Sequence, residues 1–218
     1  MSKEAKKPKI IPLHNGPLYF MNDFEKKVVP DLEDSNGQPI STVHGTALCR
    51  CGASRSKPFC DGTHGEIRFS DANSEHKIDY KRKDYVGKKI VVHDVRRICS
   101  HAKECVNNLP AVFRFTERPW ISPDGSSLEK IIEIVNKCPS GALSYTIDGI
   151  EYKDQDRTPK VIVTKNGPLN VTGGIELVGV SWPETVSREH YALCRCGHSN
   201  NKPFCDGTHS TIDFKDSG

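Results

Sequence analysis

The chain lacks any uninterrupted apolar run of the ~20 residues that a membrane-spanning helix needs, so the sequence argues against a transmembrane protein. It is also poor in apolar and aromatic material, with 35% hydrophobic and 7% aromatic residues over 218 positions. A core built from so little is modest for the length. Fourteen prolines and seventeen glycines add a picture of compact, loop-rich units, which commonly need a metal or a crosslink to supplement a small core. The lysine-rich stretch Met1–Lys9 has neither the apolar segment of a secretory signal nor the arginine and serine enrichment of a transit peptide. The expectation is a cytoplasmic protein with a frayed N-terminal tail and no membrane partner.

Cysteine is what the chain does have. Nine are present: Cys49, Cys51 and Cys60; Cys99, Cys105 and Cys138; Cys194, Cys196 and Cys205. An odd number does not complete a disulfide framework, and a reducing compartment argues the same way. Three groups of three leave none over. The groups follow an internal repeat. Lys9-Ile-Ile-Pro-Leu-His-Asn-Gly-Pro-Leu18 is echoed by Lys160-Val-Ile-Val-Thr-Lys-Asn-Gly-Pro-Leu169, and Ala47-Leu-Cys-Arg-Cys-Gly52 by Ala192-Leu-Cys-Arg-Cys-Gly197. Lys57-Pro-Phe-Cys-Asp-Gly-Thr-His64 recurs letter for letter at Lys202–His209. The chain therefore reads as a module (9–70), an insert (85–148) and the module again (160–215), with polar linkers over Ser70–Asp84 and Asp148–Pro159. In each module the apolar run before Asn-Gly-Pro reads as a strand entering a turn. A second short strand is expected before the first cysteine, and a helical turn from Asp61 or Asp206.

Each module carries one ligand pattern: C-x-C, eight residues, C, three residues, H. Alternation can send both thiols of Cys49-Arg50-Cys51 to one side of an extended loop. Cys60 and His64 stand four apart, the spacing of one helical face. Here the sequence resembles the CDGSH (NEET-type) iron–sulfur family, whose pattern C-x-C-x2-[ST]-x3-P-x-C-D-G-[SAT]-H both copies satisfy in full. The matching positions are Cys49, Cys51, Ser54, Pro58, Cys60, Asp61, Gly62, Thr63 and His64, then Cys194, Cys196, Ser199, Pro203, Cys205, Asp206, Gly207, Thr208 and His209. The resemblance implies a [2Fe–2S] cluster on Cys49, Cys51, Cys60 and His64, and another on Cys194, Cys196, Cys205 and His209. Zinc is the rival chemistry, since three cysteines and a histidine form a common structural zinc set; zinc sites, however, usually pair cysteines as C-x2-4-C.

The insert has its own signature. Lys89–Asp94 reads as a strand, and Ser126–Asn136 as a helix with a capping box (Ser126, Glu129) and an apolar face of Leu128, Ile131, Ile132 and Val135. Cys99 and Cys105 fit the ferredoxin spacing C-x2-C-x2-C with Ala102 in the middle slot, and Cys138-Pro139 supplies the Cys-Pro ending. With Leu109–Phe113 and Trp120, the insert resembles divergent single-cluster ferredoxin domains. Three cysteines (Cys99, Cys105, Cys138) imply a [3Fe–4S] cluster. The alternative is a [4Fe–4S] cluster whose fourth iron takes His101, water or another protein group.

The remaining residues have blander readings. His14, His44, His76, His93, His190 and His198 fall outside the ligand pattern, Arg50 and Arg195 balance cluster charge, and Trp120 and Trp182 belong to cores. The formal charge of +3 is offset by clusters carrying about −1 to −2 each, so no nucleic-acid partner is implied. The expected fold is α+β: two CDGSH modules paired within one chain under a small β-cap, as the family pairs two chains, with a ferredoxin-like unit inserted, acting as a monomer. No catalytic residue is assigned. The expected role is electron transfer to redox partner proteins, with cluster delivery to an apo iron–sulfur acceptor, or redox or pH sensing, as the alternative.

Overall fold

The computed structural model describes residues 7–21, 30–42, 45–73 and 79–216; His44 and His76 lie outside them. The first repeat opens with an antiparallel hairpin, Lys9–Pro12 (β1) and Leu18–Met21 (β2), with Ile10 opposite Phe20. Asn15 takes the left-handed conformation in its turn (φ 49°), which asparagine tolerates. Asp31–Asp34 (β3) and Ala47–Leu48 (β4) follow, then a single helical turn, Thr63–Glu66 (α1). That turn starts two residues later than expected, because Gly62 (φ 90°) occupies its N-cap.

The insert is a meander of four antiparallel strands, Lys83–Val86 (β5), Val91–Asp94 (β6), Leu143–Ile147 (β7) and Ile150–Tyr152 (β8), in that spatial order. Strand β8 lies within a stretch that reads as linker and β5 straddles the end of the other, each completed by pairing with an inner strand; of these inner strands the sequence reading reveals β6. Between β6 and β7 lie Glu104–Asn108 (α2) and Leu128–Asn136 (α3). The cap of α3 is Ser127, whose hydroxyl accepts from the Lys130 amide, rather than Ser126. The buried face carries Ile131, Ile134 and Val135, while Leu128 and Ile132 stand at its margin.

The second repeat provides Lys160–Val163 (β9), Leu169–Thr172 (β10), Glu176–Leu177 (β11), Tyr191–Leu193 (β12) and Thr208–Thr211 (α4). Neither repeat completes a sheet by itself. One four-stranded sheet has the order β11-β1-β2-β4 and another β12-β10-β9-β3. Thus β11 lies parallel to β1, Ile10 opposite Leu177, and β3 lies parallel to β9, Leu32 opposite Val161. Parallel pairing requires a crossover rather than a hairpin, and here the crossing strand comes from the other repeat. Lys9–Glu176 (2.9 Å) and Lys160–Glu33 (2.7 Å) mark the two exchanged edges with equivalent ion pairs.

The inward faces of both sheets merge into one core that holds Ile10, Leu18, Phe20, Leu32 and Leu48 together with Val161, Leu169, Val171, Tyr191 and Phe204. Each such aliphatic or aromatic side chain contributes about 1.5–3 kcal/mol when buried. Trp182 packs edge-on against Tyr191 and Phe204 at 4.9 and 5.2 Å between centroids. The insert has a separate core of Tyr85, Ile90, Val92, Val112, Phe113, Ile121, Ile131, Val135 and Tyr145, with Trp120 packed on it. The fold is mixed α+β. Among the described residues no helix is long and apolar enough to cross a membrane.

Candidate metal centres

Each module builds its ligand set on one closed loop. β4 runs directly into Cys49. The Cys49 amide donates to the Pro58 carbonyl (2.8 Å) and the Cys60 amide to the Ala47 carbonyl (2.9 Å), so the chain returns beside the strand it left. Cys194 with Pro203 and Cys205 with Ala192 repeat both bonds at 2.8 Å. The Ser54 hydroxyl donates to the Phe59 carbonyl (2.6 Å), as Ser199 does to Phe204 (2.7 Å). The Asp61 carboxylate accepts from the Arg55 and Thr63 amides, and Asp206 from those of Asn200 and Thr208. Asp61 thus fastens the far end of the loop to the first turn of α1. These amide bonds, with that turn, hold its carboxyl well below the usual range.

The ligands lie in pairs. Cys49 Sγ is 3.7 Å from Cys51 Sγ, and Cys60 Sγ is 3.3 Å from His64 Nδ1. In the second module the same distances are 3.8 and 3.4 Å. A tetrahedral metal with sulfur at about 2.3 Å and nitrogen at about 2.0–2.1 Å separates two sulfurs by about 3.8 Å and sulfur from nitrogen by about 3.5 Å. Each pair has the spacing of two ligands on one tetrahedral metal, so the residues fit metal ligation, and Nδ1 is the nitrogen each histidine presents.

The electrostatics agree. None of the nine cysteines is in a disulfide. The hydrogen bond from Cys51 lowers the Cys49 thiol to about 6, and Cys194 falls to about 6 beside Cys196; the second member of each pair is pushed up by the first. Burial raises Cys205, with Cys194, Asp206 and Cys99 of the insert adding to it. Thiols that oppose one another's ionisation are stabilised as thiolates by a bound cation.

Arg50 and Arg195 do more than supply charge. Both are fully buried. Arg50 donates through Nε to the Gly16 carbonyl (2.9 Å), and through Nη2 to the Leu13 carbonyl and the Asp71 carboxylate (2.8 Å). Arg195 repeats this with Gly167 (3.0 Å), Thr164 (2.7 Å) and Asp216. The Asp71 and Asp216 amides in turn donate to Asn15 and Asn166. Each arginine therefore clamps the Asn-Gly-Pro turn and the segment after the CDGSH helix onto the C-x-C loop. Its guanidinium lies over Phe69 or Phe214, 5.5 and 5.3 Å from the centroids.

The two loops meet. Cys51 and Cys196 face each other in an antiparallel bridge. Gly52 and Gly197 have φ of 81° and 82°. A Cβ on either would stand 2.4 Å from the carbonyl oxygen of the opposite module's cysteine. Only glycine admits this approach.

The third group surrounds a small cavity of about 20 Å³. Cys99, Cys105 and Cys138 line it together with Ala102, Ser100, Asp94, Arg96 and Trp120. The structure thus brings the three cysteines to one cavity, with Ala102 also lining it. His101 is not among the lining residues; it turns toward Gly207. Burial pushes Cys99 up to about 12 and Cys105 up to about 11, in both cases with Cys138 adding to the shift. Arg96 donates to Cys99 Sγ (3.6 Å) and to Asp94 (3.0 Å) while lying 4.0 Å over the Trp120 ring. Asp94 Oδ1 and Ser100 Oγ are buried on this wall without a hydrogen-bond partner. Buried polar atoms are rarely left so, and both are oxygen donors suited to a metal. Sequence reading missed them, since neither stands in a recognisable spacing.

The other described histidines lie away from the cysteine groups or bond to backbone and carboxylates. His93 sits between Asp84 and Thr146 at 2.8 Å from each, His190 contacts Ser187 and Glu189, and His198 Nδ1 donates to the Cys196 carbonyl (2.7 Å). His14 is exposed, 3.3 Å from Asp71.

Comparison with known proteins agrees with this geometry. Residues 15–65 and 166–210 match the family described as iron-binding zinc finger, CDGSH type, and residues 85–148 match the divergent 4Fe-4S mono-cluster family. The chain is also 38% identical over 61 residues to the uncharacterized protein YjdI of Escherichia coli strain K12, and equally to that of strain O157:H7. Each match spans 28% of this chain and 80% of the relative. No solved structure matches. With two complete ligand loops, and a third group of thiols inside the segment that separates them, the chain belongs to the CDGSH-type iron–sulfur proteins and carries two CDGSH motifs around an inserted divergent, ferredoxin-like single-cluster domain.

Proposed function

We propose that the chain is an electron-transfer protein with three iron–sulfur clusters and no catalytic residue of its own. Cys49, Cys51, Cys60 and His64 would hold one [2Fe–2S] cluster, and Cys194, Cys196, Cys205 and His209 the other. Cys99, Cys105 and Cys138 would hold the third. Bound clusters supply one-electron redox chemistry; the protein supplies thiolates, burial and spacing. The observation that carries this reading is the joining of three ligand groups into one body: the CDGSH loops meet at Cys51 and Cys196, and Cys99 contributes to the field at Cys205.

Strand exchange and the shared core support reading the two modules as an intramolecular pair under a common β-cap, with no second chain required. For the insert, the description of the matched family favours four irons over the three that the cysteine count implies. Asp94 and Ser100 are then the first candidates for the remaining ligand, since their free oxygens line the cavity and His101 does not. The test is stepwise reductive titration of the purified protein followed by EPR. Three separately reducible centres are expected, and reduced protein should pass electrons to an oxidised acceptor ferredoxin without losing iron. Cluster delivery is the second reading, favoured by the half-exposed Cys60 and His64; transfer of iron and sulfide to apo-ferredoxin would select it.

A further inference from the structure

The two CDGSH motifs match letter for letter from Lys57 to His64 and from Lys202 to His209, yet their surroundings differ. In the first module Cys60 is half-buried, and Asp61, Gly62 and Gly65 are exposed; a Cβ placed on Gly62 or Gly65 would meet nothing within 4 Å. In the second module Cys205 and Gly207 are buried. A Cβ on Gly207 would stand 2.6 Å from Cγ and 2.8 Å from Nδ1 of His101. The side chain of His101, from the insert, therefore stands close against the backbone at Gly207.

Other contacts hold it there. Asn201, fully buried, donates to the Arg97 carbonyl (2.9 Å) and accepts from the Tyr80 hydroxyl (2.8 Å). Asn73 exchanges two bonds with the Lys202 backbone, at 2.8 and 2.6 Å. The position equivalent to Asn201 in the first module is Ser56, which is exposed. His101 adopts φ 56°, an uncommon conformation for a residue other than glycine that persists where the surroundings fix it.

Building on the cluster assignment above, we propose that His101 is a lid on the second CDGSH site. The backbone from Cys205 to Gly207 is covered by the insert, whereas the Cys60–His64 edge is the port through which a strong iron acceptor reaches the first cluster. Exchange at the port is a ligand substitution: iron leaves as the acceptor's chelate, sulfide enters solution, and the thiolates regain protons.

The test is cluster loss from the holo-protein in excess bathophenanthroline disulfonate with dithionite, followed by absorbance and EPR. The two CDGSH clusters, followed by their own [2Fe–2S] EPR signals apart from the insert's cluster, are expected to decay in two phases of equal amplitude, the second slower by about tenfold, the ratio that about 1.4 kcal/mol of local opening gives. His64→Cys, which alters the spectrum of the first cluster, identifies the phase that cluster belongs to; it should be the fast one. His101→Gly relieves the left-handed backbone and removes the lid, and should bring the slow phase to the fast rate. His101→Phe keeps a ring over Gly207 and should leave it slow. A single phase in the wild type, or a slow phase untouched by His101→Gly, overturns the proposal. Absence of both [2Fe–2S] signals at the outset would instead overturn the cluster assignment on which it rests. The wild-type measurement needs no variant to fold.

Discussion

Replacing Gly52 or Gly197 by alanine tests the joining of the two modules. The perturbation is one methyl group in each case, directed at the backbone of the other module. Two costs add. The left-handed φ near 81° costs an alanine about 1–2 kcal/mol. The 2.4 Å approach to the opposite cysteine carbonyl must open by roughly an ångström, an overpacking cost of about 1–3 kcal/mol. The sum, about 2–5 kcal/mol, corresponds to a fall in Tm on the order of 10 °C for a chain of this size. Gly37→Ala is the control. Gly37 has φ 77°, but a Cβ there meets nothing within 4 Å, so only the first cost applies. Thermal unfolding followed by far-UV circular dichroism gives the stability, and visible absorbance of the holo-protein gives cluster retention. Gly52→Ala should lower Tm more than Gly37→Ala and should weaken both CDGSH clusters, including the one whose ligands it leaves intact. Equal shifts for Gly52→Ala and Gly37→Ala, with the second module's cluster unaffected, would refute the reasoning.

Three further outcomes follow from the same structure. Arg195→Ala removes a fully buried guanidinium from two carbonyls and a carboxylate, a loss of about 3–5 kcal/mol. Arg195→Lys should recover only part of it, because an ammonium cannot fork to three acceptors; chemical denaturation of the three proteins measures both. Burial opposes ionisation of Glu189, but His190, Arg157 and the Gly173 amide outweigh it and hold the carboxyl below its ordinary value. A depressed carboxyl stabilises the fold above the unfolded pKa of about 4.3 and loses that contribution as the pH falls below it. The Tm gap between wild type and Glu189→Gln should therefore be widest at neutral pH and narrow below about pH 4.3. Ala102→Cys places a fourth thiol on the wall that already holds Cys99, Cys105 and Cys138; it should yield a [4Fe–4S] site more resistant to oxidative iron loss than the wild type, as quantified by EPR after ferricyanide treatment.

The candidate ligands were legible because iron–sulfur ligation is written in short spacings. C-x-C followed by C-x3-H needs one loop, and Cys99, Cys105 and Cys138 keep the intervals of a known cluster motif. The strand before each Asn-Gly-Pro was legible from its apolar run and the short strand before each first cysteine from its place, while the strand after the turn, Leu18–Met21 or Leu169–Thr172, was not read. Long-range features were not. The parallel pairing of β3 with β9 joins Leu32 to Val161, and no local pattern in Asp31–Asp34 announces its partner. Nor does a C-x-C motif show that its middle arginine clamps a turn some 34 residues earlier. The cap at Ser127 rather than Ser126 was lost because adjacent serines are equivalent in sequence and are distinguished only by backbone angle. His101 was weighed as an iron ligand from its position between Cys99 and Cys105. What decides its role is Gly207, more than a hundred residues away, where a missing side chain leaves space for the ring.

The central claim is that these three ligand groups hold iron and sulfide together rather than isolated metal ions. The most direct measurement is iron, zinc and acid-labile sulfide on the same purified sample, with EPR after reduction. The account expects about four irons and four sulfides from the two CDGSH sites, about three or four irons and about four sulfides from the insert, and essentially no zinc. Stoichiometric zinc with no labile sulfide, in a colourless protein, would contradict it.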